Sequence, residues 1–316
     1  MLSVILVAAG LTAEAQMRAA TWNVTNYESG RTNAFRTAIF NEFQGRSFNP
    51  DVLVLQELRG STGLTNFLNI LNTTPGQENQ WAAAPFLDTG DTDSGMVYRK
   101  SKIDFVSRVN ITGDPRDTQR YDFRLKGYQS GSTTNPNVSF YSSHWKAGSS
   151  AEDESRRLVE ATNIRNDAAN RPVGTHIMIG GDFNVQSSGD DAYKQLLDAS
   201  VARSGGSLTG GRFFDPINSS YTSGGGNITW NNNNTYRFLH TQDPYGAGGM
   251  DDRLDFMLVG GSLRDGKGLE YIGSTTASYS GSTWNDPNHS YRVWGNDGTS
   301  YNTTLTVNGN TMVGST

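Results

Sequence analysis

Apolar positions along the chain follow two rhythms. Runs of four to eight Val, Ile, Leu, Phe and Tyr residues, bounded by turn formers, recur at RAATWNV (18–24), DVLVLQEL (51–58), NVSFYSSHW (137–145), HIMIGGDFN (176–184) and RLDFMLV (253–259). Such runs read as strands. GMVYRK and KIDFVSRVNI, within 95–111, read as a hairpin. Between these runs the spacing becomes helical. Phe35, Ile39 and Phe43 form one stripe over 32–44, and Leu64, Phe67, Leu68 and Leu71 another over 62–72. A third helix is expected over 150–170, opening on serine and acids and burying Leu158, Ala161 and Ile164, and a short one over 190–200.

Strand–helix alternation followed by strand-only stretches predicts an α/β protein with two packed β-sheets and helices on the outer faces. The stretch 203–250, rich in Gly, Ser, Asn and Thr, reads as surface loops. No repeat and no clear linker interrupts the chain, so residues 16–316 are expected to form one domain. The 316 residues suffice for one large core.

Chemistry gathers where these runs end. Asn23, Glu57, His144, Asp182, Asn184 and Asp255 each stand at such an end, with His289 further on. For Gly-Gly-Asp-Phe-Asn alone two readings stay open: a plain turn, or an acid and an amide held at a strand mouth to act on something. Repetition of the pattern over separate runs favours a site, because loops at strand ends converge in layered α/β proteins. Acids, amides and imidazoles without a Ser or Cys nucleophile motif suit metal-assisted attack of water on a phosphate ester. The chain has no cysteine and only 4 His, so a metal ion would be held by oxygen or imidazole. That favours Mg²⁺ or Mn²⁺, or Ca²⁺ as a structural ion, over zinc.

The ordered set TWNV, LQELR, SSHWKAG, GDFN and DRLDFMLV resembles the motifs of the endonuclease/exonuclease/phosphatase superfamily, over about residues 17–260. Members include deoxyribonuclease I, abasic-site endonucleases, sphingomyelinases and inositol-polyphosphate phosphatases. The resemblance implies a four-layered sandwich, a divalent-metal site and cleavage of phosphate esters. It implies Glu57 as principal metal ligand with Asn23 beside it. Asp182 would orient or deprotonate the attacking water, Asn184 fix a phosphate oxygen, and His144 meet the charge of the transition state. Asp255 is similar to the acid that pairs with the final histidine, or ligates metal in some members. The last motif departs from the family's Ser-Asp-His: here it reads Asn288-His289. Asp286 or Asp297 fills the place of the missing acid, or the site is less anionic, or GNDG (295–298) is the functional segment instead.

Net charge is −5, which excludes coating of nucleic acid by bulk electrostatics but not a grip by a few cations. Arg59, two residues after Glu57, and Arg120, one strand before His144, stand where the nucleases of this superfamily carry substrate-contacting arginines; Lys146 is a further candidate, and Trp145 is expected to pack. The apolar stretch Leu2–Leu11 followed by Ala13-Glu14-Ala15 reads as a secretory signal (residues 1–15), the alternative being a buried first strand. The expectation is an exported or periplasmic, monomeric nuclease acting on DNA or RNA, without stable membrane association. A sphingomyelinase or phosphatase on the same fold, or a non-catalytic binder, are the alternatives.

Overall fold

The computed structural model describes residues 16–127, 136–185, 187–198, 210–218, 228–241 and 249–303, so the expected signal at 1–15 lies outside the described residues. The chain begins with β1 (Ala19–Tyr27), α1 (Thr32–Phe40), the hairpin β2 (Glu42–Phe43) and β3 (Arg46–Ser47), then β4 (Val52–Leu58). α2 (Gly60–Asn72), β5 (Trp81–Ala83), β6 (Asp93–Arg99), β7 (Ile103–Ile111) and β8 (Thr118–Leu125) follow. β9 (Asn137–His144), α3 (Ala151–Ala169), β10 (His176–Asp182), α4 (Asp191–Leu197), β11 (Phe213–Phe214) and β12 (Asp255–Gly260) complete the order.

One sheet has strand order β1-β4-β6-β5 and the other β11-β12-β10-β9-β8-β7. β1 pairs with β4 in parallel, and β9 with β10 in parallel. Between the sheets, Val52, Val54 and Met96 meet Tyr121, Phe123, Val138, Phe140 and Met178. On the outside of the first sheet, Phe35 and Ile39 of α1 and Leu64, Phe67 and Leu71 of α2 pack on Leu53 and Leu55. Ala161 and Ile164 of α3, with Tyr193 and Leu196 of α4, cover Tyr141, Ile179 and Leu258 of the second sheet. The result is the four-layered α/β sandwich. β4 is apolar at Val52, Leu53, Val54 and Leu55 because both of its faces are covered. Truncating a fully buried ring such as Phe67 would cost about 3–5 kcal/mol.

Several local expectations are corrected. The first helix stops at Phe40, Asn41 turns extended, and Phe43 leaves the helical stripe for a separate cluster with Ile217, Phe238 and Trp284. β6 and β7 are not a hairpin: β6 pairs with β4 and β5, β7 with β8 of the other sheet, so Lys100–Lys102 cross between layers. On α3 the buried face carries Arg157, Glu160 and Arg165 beside Ala161 and Ile164, while Leu158 is half-buried. Ser150 caps that helix reciprocally with Asp153, as its opening residues foretold. Within 203–250, Trp230, Phe238 and His240 are buried rather than on surface loops.

The glycines before Asp182 have a steric reason. A Cβ on Gly180 would stand 2.8 Å from Cβ of Thr21 on β1, and one on Gly181 would stand 1.8 Å from the Ser143 carbonyl on β9. Their absence of side chain lets β10 press against both neighbours. Just below, Gln56 on β4 donates across the layers to Ser142 Oγ on β9 at 2.9 Å, in a buried position. The two sheets are thus pinned together one residue below Glu57. Among the described residues no helix is long and apolar enough to cross a membrane.

Candidate active site

β9 ends on His144 and β10 on Asp182, and the two residues are register partners. In the other sheet Asn23 of β1 pairs with Gln56 of β4, the residue before Glu57. Contact between β1 and β10 brings these strand ends together. Asn23 Nδ2 donates to Glu57 Oε1 at 2.9 Å and to Asp182 Oδ2 at 3.1 Å. Nε2 of His144 lies 3.8 Å from each of those same oxygens. One ligand atom each from Glu57, His144 and Asp182 falls within 4.8 Å of the others.

The backbone around this group is bent to serve it. Glu57 has φ 59°, and Thr25 and Asn26 have 47° and 51°, left-handed values that non-glycine residues adopt at a cost of about 1–2 kcal/mol each. A register irregularity between Leu55 and Leu58 accompanies the turn of Glu57. The strain is stabilised locally: the Asn26 N–H donates to Glu57 Oε2 at 2.9 Å, and the Thr25 N–H to Asn23 Oδ1 at 2.9 Å. Asn184, at φ 52°, donates its own N–H to Asp182 Oδ1 (3.1 Å) and its amide to the Trp145 carbonyl (3.1 Å). Trp145 itself is fully buried.

Burial pushes the Asp182 carboxyl upward, against the Asn23 and Asn184 hydrogen bonds and the nearby Arg116, which favour the anion. Burial, and secondarily Arg116, push the His144 imidazole down to about 4, with Glu57 and Asp91 opposing. The ring is therefore neutral near pH 7.

A profile of the Endonuclease/Exonuclease/phosphatase family matches residues 20–278. The chain belongs to that family. Its members are metal-dependent hydrolases of phosphate esters. No curated protein matches the chain. Among solved structures it is similar to truncated Caenorhabditis elegans TDP2, at 15% identity over 77% of this chain and 83% of that one, TM-score 0.47. It is similar to the human Nocturnin catalytic domain with bound sulfate anion, at 14% identity over 79% and 84%, TM-score 0.49. D. rerio TDP2 complexed with single strand DNA product shows 18% identity over 76% and 82%, TM-score 0.44.

The donor set fits the metal that this family uses. Opposite ligands of Mg²⁺ stand about 4 Å apart, so a group already within 4.8 Å needs little closure. The carboxylate oxygens of Glu57 and Asp182 suit Mg²⁺ or Mn²⁺, whereas the imidazole of His144 is the softer donor of the group. Asn23 serves differently from the ligand that its motif suggests: its NH₂ faces the carboxylates and its oxygen faces Thr25, so it clamps the ligands.

Other expected residues separate. Arg59 stays at the rim, donating to Asn26 Oδ1 at 2.9 Å next to the Glu57 clamp. Asp255 is the register partner of Asp182 on β12, at the same strand mouth. Lys146 turns to Asp153, with its ammonium 2.9 Å away at the start of α3. Arg120 is buried on the outer face of β8, held by Asp122 and Asp167, and points to α3 rather than to the site. Strand alternation explains this correction, since Tyr121 and Phe123 take the opposite, inter-sheet face.

His289 meets one of the two acids expected beside it. Its Nδ1 lies 3.2 Å from Asp286 and its Nε2 2.9 Å from the Ala277 carbonyl, so the acid that it faces is Asp286, not Asp255. The N–H groups of Asn288 and Ser280 and the His289 ring hold Asp286 below the usual carboxylate range although burial pushes it up. Asp297 accepts from Thr299 at 3.0 Å, and Asn296 fastens the carbonyls of Arg237 and His240, so GNDG is a structural turn.

The residue that the motifs missed is Arg116. It lies in the turn before β8, with Nε 3.0 Å from Asp91, and its charge reaches both His144 and Asp182. The available signal was topology. β8 runs antiparallel to β9, so a residue just before β8 stands beside the end of β9, where His144 is.

Proposed function

We propose that this chain is an exported phosphodiesterase that hydrolyses DNA, as a single domain over residues 16–316. The observation that carries the reading is the Asn23-bridged pair of Glu57 and Asp182 with His144 at 3.8 Å from both, flanked by Arg116 and Arg59. Glu57 would be the principal ligand of the Mg²⁺ or Mn²⁺ ion, which when bound would neutralise phosphate charge and lower the pKa of water, leaving Asp182 and His144 free to act on water and phosphate. Asp182, with its raised proton affinity, is suited to take a proton from the attacking water. Neutral His144 can offer a ring N–H to the charge that develops on phosphate, and Arg116 can bind the phosphate at the mouth. Asn184 stands beside Asp182 with its amide fixed on Trp145, ready to align one oxygen. Export is supported by the run Leu2–Leu11 before Ala13-Glu14-Ala15.

Plasmid nicking with and without EDTA, alongside release of phosphocholine from sphingomyelin and of phosphate from inositol phosphates, tests this. Nicking that vanishes on EDTA treatment and returns with millimolar Mn²⁺ or Mg²⁺ is expected. Hydrolysis of the lipid or inositol substrate alone would overturn the DNA reading.

A further inference from the structure

Glu160 is a charged residue in an apolar place that the chemistry above does not use. It sits on the core-facing side of α3 at 2% exposure. Its Oε2 accepts the Lys146 backbone N–H at 3.2 Å, two residues beyond His144. Its Oε1 lies 3.4 Å from where a Cβ on Gly113 would stand, and the Asp114 backbone N–H, like that of Lys146, favours its anion. Gly113 belongs to the turn that carries Arg116. One carboxyl group thus touches the two segments that flank the site.

The charges around it are otherwise committed. From the turn, Arg116 pairs with Asp91 (3.0 Å), and Asp114 pairs with Arg156 of α3 (3.5 Å). From the segment after β9, the Lys146 ammonium is on Asp153 (2.9 Å). On its own helix Arg157 is on Asp190 (2.9 Å) and on the Lys146 and Gly148 carbonyls. Burial pushes Glu160 up to about 8, although the Lys146 N–H and Arg116 favour the anion.

We propose that Glu160 is a positioning residue whose neutral carboxyl supports the 112–117 turn and leaves Arg116 on Asp91 at the mouth of the site. On losing its proton to solvent it becomes a buried anion and draws Arg116 inward, away from substrate phosphate. The inference rests on the phosphodiesterase reading only for Arg116's contact with phosphate.

The test follows kcat/KM for bis(p-nitrophenyl) phosphate with Mn²⁺ from pH 6 to 9.5, and sulfate affinity by calorimetry over the same range. For the wild type, both are expected to fall about tenfold per pH unit above about 8. Glu160→Gln, neutral and nearly isosteric, should keep neutral-pH activity within about threefold and lose that fall. An alkaline fall that Glu160→Gln retains overturns the proposal, as does a folded Glu160→Gln that has lost more than about tenfold at pH 7. Glu160→Leu is the second neutral variant, and failure of both to fold also overturns it. If the wild type cleaves no phosphodiester at any pH, the functional reading fails and sulfate decides the matter. Affinity falling above about pH 8 in the wild type but flat in Glu160→Gln then supports the assignment, and absent or pH-independent sulfate binding overturns it.

Discussion

A single amide nitrogen ties the two sheets together at the site: Asn23 Nδ2 reaches Glu57 Oε1 at 2.9 Å and Asp182 Oδ2 at 3.1 Å. Asn23→Ala leaves two facing carboxylates without their shared donor. Metal affinity should weaken about 10- to 100-fold and kcat should fall by a similar factor. Mn²⁺ titration followed by electron paramagnetic resonance checks this, and unchanged affinity would mean that the carboxylates are held by their own strands alone.

The two arginines ahead of His144 should part company. Removing Arg120 leaves the half-buried Asp122 to Ser107 and Ser139 and Asp167 to Tyr141 and Arg171, so Arg120→Ala is expected to lose about 1–3 kcal/mol of stability. Arg116→Ala should lower DNA cleavage about 100-fold while leaving the melting temperature nearly in place. Thermal melting run beside the cleavage assay decides, and the reverse assignment of effects would refute the placement.

Two histidines are separable in the same manner. His144→Ala should lower kcat by roughly 10²–10⁴ with folding intact. His289→Ala removes a partner from buried Asp286 and from the Ala277 carbonyl, so about 1–3 kcal/mol of stability is expected to go, with kcat within about threefold of wild type. A stable His289→Ala protein with no catalysis would show that this ring reaches the substrate after all.

Stability of the metal-free protein should depend on pH through buried groups of opposed sign, His144 and His240 on one side and Glu160 and Asp182 on the other. His144, depressed from 6.5 to about 4, holds fewer protons folded than unfolded, so stability is lost as pH falls through that window. Glu160, raised from 4.5 to about 8, holds more protons folded, so stability is lost as pH rises through its window. Below about 6.5 the two kinds of slope oppose one another, and from about 6.5 to 8 Glu160 alone contributes a fall of up to about 1.4 kcal/mol per unit. Denaturant unfolding at stepped pH should show Glu160→Gln falling less steeply than the wild type above about 6.5, and His144→Asn falling more steeply than the wild type from about 4.5. Parallel wild-type and Glu160→Gln curves would rule out the buried acid as the source.

The candidate site was legible in the sequence as a cluster because its members stand near the ends of period-two or fully apolar runs, and strand ends of a layered fold converge. Glu57, His144, Asp182 and Asn23 all follow that rule. Arg120 looked equivalent but lies inside its strand, where alternation fixes the face, and that face belongs to α3. Arg116 escaped notice because a turn has no periodicity; only the antiparallel pairing of β8 with β9 brings it to His144. The buried charges of α3 were hidden for another reason. Arg157, Glu160 and Arg165 mimic a solvated face in sequence, and only their partners, the Lys146, Gly148 and Gln195 backbone groups among them, make burial tolerable.

The crossing at Lys100–Lys102 divides the chain so that every strand of one sheet precedes it and every strand of the other follows. Asn23 and Glu57 fall on the early side, His144 and Asp182 on the late side. Neither portion alone owns the whole candidate site, and the cluster exists only in the docked state. Catalysis by this chain is therefore a reporter of assembly: two polypeptides separated at that crossing would be inert apart, and turnover on mixing would measure how well each half recognises the other.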